Sequence, residues 1–231
     1  MSRSDSTGAV FPHGWFGPAL RGYREAPATY GYDDYNALPP LEEEFDGSLA
    51  WLTPIDDLVA REMQPHWEHA RRRSKLAMNF ERIVAEAMQH GYKVPETFLQ
   101  FMRSEALQKR IPSCTACYFD APERIVDAPA PGAGILIRFM NDQQWCVLWH
   151  LYIDRHQSHA IVASPRAFDV EDDLDLPEAN EEESQLVMCA PDFETFLYRF
   201  WLENSAWFAL EMKHRPLTQR EKGYLAYYAH C

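Results

Sequence analysis

GILIRFMNDQQWCVLWHLYI, running from Gly134 to Ile153, decides the fold class. Its two ends, Gly134–Met140 and Cys146–Ile153, are apolar, β-branched and aromatic, with Asn141-Asp142-Gln143-Gln144 between them. Runs of that composition on either side of a polar turn read as strand, turn, strand. Arg155-His156-Gln157-Ser158 is the next turn and His159–Ser164 the next strand, closed by Pro165. With Cys114–Phe119, whose alternation suits a strand, this makes a largely antiparallel meander of about four strands.

Helical patterns stand on both sides of the meander. Thr53 is placed to cap a helix with Pro54 in its first turn, and Pro65 is expected to break or restart it. Leu76, Phe80, Ile83, Val84 and Ala87 then share one face of a second helix that stops at Gly91. A further helix starts at Pro95, with Phe98, Leu99 and Met102 on one side. Beyond the meander, Phe193, Phe196, Leu197, Phe200, Trp201, Asn204, Trp207 and Phe208 fall at three- and four-residue steps. This is the cleanest stripe in the chain and predicts the helix that organises the core, with Phe200 and Trp201 buried against the meander near Trp149 or Tyr152. Thr218-x-x-Glu221 is a capping box for a short last helix. Helices, a meander, then helices make an α+β fold: a mostly antiparallel meander sheet packed against N- and C-terminal helices.

The 231 residues, 46 % hydrophobic and 25 % charged, suit one folded domain rather than a disordered chain. Residues 51–231 are assigned to that domain. Residues 1–50 read as an extended Pro/Gly-rich arm, partly docked by aromatic anchors such as Phe11, Trp15, Phe16 and Tyr23. No apolar run reaches the ~20 residues of a membrane helix, and the first residues lack a signal-peptide pattern. The expected location is the cytoplasm.

Net charge is −13, and two segments without Lys or Arg hold 15 of the 35 acidic side chains. One contains Asp33, Asp34, Glu42, Glu43, Glu44 and Asp46. The other, over 169–183, contains Asp169, Glu171, Asp172, Asp173, Asp175, Glu178, Glu181, Glu182 and Glu183. The remainder carries 20 acids against 22 bases and is close to neutral. Acidic strips repel phosphate, which disfavours direct nucleic-acid binding, and attract a basic protein mainly through association rate and choice of partner. The plainer alternative is a solvated loop kept soluble by its charge. The nine carboxylates of 169–183 are the expected partner-binding residues.

Catalytic and metal signatures are sparse. Cys114-x-x-Cys117 has no second pair and no His at finger spacing, so Cys114, Cys117, Cys146, Cys189 and Cys231 are expected as thiols. His66-x-x-His69 could share a helix face and hold a metal, but lacks matching carboxylates beyond Glu62 and Glu68; His156-x-x-His159 straddles a turn. Asp142 and Asp154 lie at strand ends, where catalytic carboxylates and turn formers both occur. Arg71-Arg72-Arg73-x-Lys75 reads as a solvated helix surface or an internal partner for an acidic strip. Arg138, inside an apolar strand, should face solvent or pair with an acid such as Asp142 or Glu203. No catalytic residue, metal or cofactor is assigned.

Three of these segments together resemble the SUKH superfamily, the SMI1/KNR4 proteins. Val94–Phe101 looks like the family's opening Pro-led short helix, Gly134–Tyr152 like its central hairpin and Asp192–Asn204 like its closing Phe-x-x-Phe-Leu helix. The resemblance covers about residues 54–228. It implies a non-enzymatic binding scaffold, in bacteria commonly an immunity protein that neutralises a toxin, often a nuclease. A regulatory or assembly subunit of a multi-gene system, such as phage defence or cell-wall regulation, is the alternative, and a hydrolase using Asp142, Asp154 or a nearby His is a third. The acidic loop and the aromatic arm are not general features of the family.

Overall fold

A computed structural model describes residues 11–25, 30–34, 38–41, 45–129, 134–169 and 186–228. The described residues form an α+β fold. Its sheet has β3 (Tyr118–Phe119), β5 (Gly134–Asn141), β6 (Leu148–Asp154), β7 (His159–Ser164) and β8 (Val187–Ala190) in that order, and β4 (Val126–Asp127) also pairs with β5. Every pairing is antiparallel. The Gly134–Ile153 hairpin is its centre, as its composition predicts. β8 follows the acidic segment and is a strand that sequence reasoning missed: four apolar residues with no alternation carry no period.

The helices are α1 (Asp57–Arg73), α2 (Leu76–Gln89), α3 (Glu96–Met102), α4 (Glu105–Gln108), α5 (Phe193–Met212) and α6 (Gln219–Tyr228). Asp56, not Thr53, caps α1, its side chain accepting from Leu58 N at 2.8 Å. Pro65 does not interrupt α1; it is solvent-exposed, where the carbonyl it leaves without an amide partner can be hydrated. Cys114–Phe119 is a strand only over its last two residues, because a turn at Cys114–Thr115 and a φ of 55° at Ala116 break the extension. The capping box is formed: Thr218 N donates to Glu221 Oε2 at 2.7 Å and Glu221 N to Thr218 Oγ1 at 3.2 Å. No described helix is long and apolar enough to cross a membrane.

α5 is the spine of the core. Phe193, Phe196, Leu197 and Phe200 pack on Phe98, Phe139, Trp149, Leu151 and Ile161 in one cluster. Each such ring contributes roughly 1.5–3 kcal/mol by leaving water. The apolar stripe understates this helix, since Tyr198, Leu202 and Ala206 on its other side are buried too, against Leu20, Tyr224 and Leu225. Trp201 is correspondingly only partly buried, at the boundary of the two clusters beside Trp51.

That second side is covered by α6 and by the docked part of residues 1–50. β1 (Gly14–Pro18) and β2 (Tyr30–Asp34) pair antiparallel, Gly14 opposite Asp34 and Pro18 opposite Tyr30. Trp15 is fully buried in the main core. Met188 N of β8 donates to Pro12 O at 2.8 Å, so the arm also covers the sheet's last strand. Buried polar side chains along α5 fasten these passing segments. Glu194 accepts from Gly47 N and Trp51 Nε1, Arg199 donates to Pro39 O and Tyr224 OH, and Asn204 Oδ1 accepts from Cys114 N. Glu203 accepts from Trp15, Arg24 and Tyr224.

Candidate functional site

The strand β5 is irregular where the chemistry of the sheet concentrates. Its register with β6 shifts between Arg138 and Met140, so Phe139 and Met140 both enter the core cluster. The bulge therefore puts Arg138 and Asn141, three residues apart, on the opposite face of the sheet. There Arg138 Nη1 donates to Asp120 Oδ2 at 2.8 Å and Asn141 Oδ1 at 2.7 Å, and Asn141 Nδ2 to Asp120 Oδ2 at 3.1 Å. The other side of the guanidinium forks onto Asp169: Nε to Oδ1 at 2.9 Å and Nη2 to Oδ2 at 2.8 Å. The indole of Trp145 lies against the guanidinium, 4.9 Å from its centroid. Arg138 thus pairs with Asp120 and Asp169, not with Asp142 or Glu203. One cation between two carboxylates, all buried, is a bidentate arrangement that an arginine's planar fork suits.

His150 faces Arg138 across the β5–β6 ladder. It is buried, Phe168 lies 5.8 Å from its ring in an edge-on arrangement, and neither ring nitrogen has a hydrogen-bond partner among the described residues. Burial pushes its pKa down to about 4, Asp169 opposing that shift and Arg138 adding to it. A neutral imidazole is the form this environment accepts.

Of the nine carboxylates expected to bind a partner, Asp169 is thus held inside the fold. Glu171, Asp172, Asp173, Asp175, Glu178, Glu181, Glu182 and Glu183 lie outside the described residues, as do Glu42, Glu43 and Glu44 of the first acidic segment. Both candidate catalytic carboxylates are occupied as turn formers. Asp142 Oδ1 accepts from Gln144 N and Cys146 N, and Asp154 Oδ1 from His156 N and Ser158 N. His66 and His69 lie on α1 and His156 is exposed in its turn. Among the described residues no three His, Cys, Asp or Glu side chains gather as a metal site. Arg71, Arg72 and Arg73 end α1, with Lys75 beyond. Arg73 donates to Gln143 O at 3.0 Å and lies over the Tyr118 ring.

A second feature had no signal in the sequence. α1, α2, α3 and the α4–β3 connection enclose a groove of about 520 Å³, open to solvent on one side. Met63, Phe80, Met102 and Ile111 floor it, and Arg71, Glu81, Arg103, Glu105 and Lys109 border it. It gathers residues from three separate stretches of chain, 63–81, 102–111 and 117–119, which no local pattern could reveal. Comparison with family models, curated proteins and solved structures yields no match for this chain.

Proposed function

We propose that this chain is a non-enzymatic protein-binding module that presents the acidic segment following Asp169 to a basic protein surface. The observation that carries this reading is the buried fork of Arg138 on Asp169. It fixes the residue that precedes a run of eight further carboxylates in the sequence. A charged segment anchored at a rigid point steers a cationic partner to one place on the molecule. The turn bonds that Oδ1 of Asp142 and of Asp154 accepts give both aspartates a structural role, which favours a binding reading over hydrolysis. The resemblance of the helix–hairpin–helix segments to SUKH proteins favours one version: a cytoplasmic immunity protein for a basic toxin.

This version expects a neighbouring reading frame for a secreted protein with a toxin-like C-terminal domain, and that domain is the partner in the test. Association is measured by stopped flow at low and physiological salt. Replacing Glu171, Asp172, Asp173 and Asp175 together by Gln or Asn is expected to lower the association rate several-fold at low salt and leave stability unchanged. An unchanged rate would remove the acidic segment from the contact. A neighbouring gene that encodes only a cytoplasmic enzyme domain would favour a regulatory subunit instead.

A further inference from the structure

We propose that the groove between α1, α2 and the α3–α4 turn docks an acidic amphipathic helix of a partner protein. This surface does not rest on the function proposed above, and it would take a partner of the opposite charge.

The floor and mouth of the groove differ in chemistry. Met63, Phe80, Met102 and Ile111 form the floor, each with little exposure. Methionine side chains are unbranched and adapt to anchors of differing shape. Four of the five charged groups of the mouth pair with one another. Arg103 donates through Nε and Nη2 to the two oxygens of Glu81 at 2.8 and 2.9 Å, and Lys109 Nζ lies 2.7 Å from Glu105 Oε1. A small polar ligand needs a few polar groups converging on it inside the cavity. An open apolar trough with charges along its border instead fits side chains that descend from a peptide backbone left at the mouth. The sheet edge beside it, β3, is two residues long, too short to template an added strand, whereas a helix needs only apolar residues at three- and four-residue steps.

Charge selects the partner. The mouth carries three cations, Arg71, Arg103 and Lys109, against two carboxylates, Glu81 and Glu105. Exposed Arg73, over the ring of the lining residue Tyr118, and Lys75, between the lining residues Ser74 and Leu76, adjoin it, in a protein whose net charge is −13. The side chains of the two rim pairs are 45–74 % exposed. Pairs so exposed contribute little and exchange partners readily. Carboxylates flanking the apolar face of an incoming helix would take up Arg71, Arg103 and Lys109 and add their attraction to the burial of its anchors.

Fluorescence polarisation of the full chain with a labelled Ala-rich helical peptide tests this. The probe carries Leu at i, i+4 and i+7 with Glu on the flanking positions; its controls replace Glu by Lys or scramble the Leu off one face. The Glu peptide is expected to bind at least about tenfold more tightly than either control, with affinity falling as salt rises. Ala77→Trp, which fills the groove from an exposed position on α2, should abolish binding with an unchanged melting temperature. Arg71→Glu should weaken it about tenfold, and this second variant decides between the outcomes should Ala77→Trp fail to fold. Met78→Ala, exposed on α2 and outside the groove, should change nothing. Equal binding of the Glu and Lys peptides, or full binding by a folded Ala77→Trp or by Arg71→Glu, would overturn the proposal. So would tighter binding of a peptide spanning residues 168–183, which would assign the groove to a second copy of this chain.

Discussion

Arg24 and Glu203 meet across 179 residues of sequence in a two-pronged pair, Nη1 to Oε1 at 2.9 Å and Nη2 to Oε2 at 2.8 Å, with Glu203 wholly buried and Arg24 nearly so. Removing one member strands the other charge away from water, which costs about 3–5 kcal/mol. Arg24→Ala is therefore expected to lower unfolding free energy by that amount in urea titration. Gly17→Ala should do comparable damage from the backbone side, because an added methyl would overlap Glu203 Oε2 and Arg24 Nη2. A loss under about 1 kcal/mol in both variants would mean that the arm contributes little to the stability of the fold.

The same logic separates Asp169 from the carboxylates that follow it. Asp169→Asn leaves Arg138 with one anionic partner instead of two and should destabilise by about 3 kcal/mol. The quadruple neutralisation at Glu171, Asp172, Asp173 and Asp175 should leave the midpoint of chemical denaturation where it was. Equal midpoints for both variants would show that the Arg138–Asp169 bond does not moor the segment.

His150 and Glu203 should both weaken the fold in acid, in different windows. Burial pushes His150 down to about 4, below the ~6.5 of an unfolded histidine. The unfolded chain therefore takes up its proton first, and stability falls by about 3 kcal/mol as pH drops from 6.5 towards 4. Burial opposes ionisation of Glu203, but the charge of Arg24 and bonds from Arg24, Tyr224 and Trp15 outweigh it and hold the carboxyl below its usual range. Its stabilisation is complete above about pH 4.5 and is lost as pH falls through the lowered folded value. His150→Phe should remove the upper limb of a stability–pH curve and keep the lower one. An unaltered curve between pH 6.5 and 4 would show that His150 is not the group responsible.

Phe200 stands 6.0 Å from Trp149, ring to ring, in the main cluster. Phe200→Ala is expected to cost about 3–5 kcal/mol by chemical denaturation. Trp201→Ala, at a partly exposed ring beside Trp51 and Tyr198, should cost less, about 1–3 kcal/mol. The reverse order would misplace the core side of α5.

How far the sequence discloses this molecule depends on how local each cause is. The hairpin around Asn141–Gln144, the start of α3 after Pro95 and the box of Thr218 and Glu221 rest on neighbours within a few residues, and they read correctly. Pro65 misleads because its cost depends on whether a carbonyl one turn earlier meets water. β1, with two glycines and a proline in five residues, looks aperiodic and is nonetheless paired. At the sheet face, Arg138 inside an apolar strand leaves both solvent and an acidic partner open, and its partners Asp120 and Asp169 come from 18 and 31 residues away. Glu203 sits beside the apolar stripe as if on a wet face. Only the arm and α6, folding over that face, make it interior.

The docking of the arm onto the last helices also sets an order of events during synthesis. Trp15 Nε1 finds Glu203 only 188 residues later in the chain. At roughly 5–20 residues per second, the indole waits about ten to forty seconds for its acceptor to be made. Contacts that span so much sequence form late and slow a chain's folding. The Trp15 segment is therefore made well before its partners on α5 and is among the last to reach its place, and until then its aromatic rings stay in water.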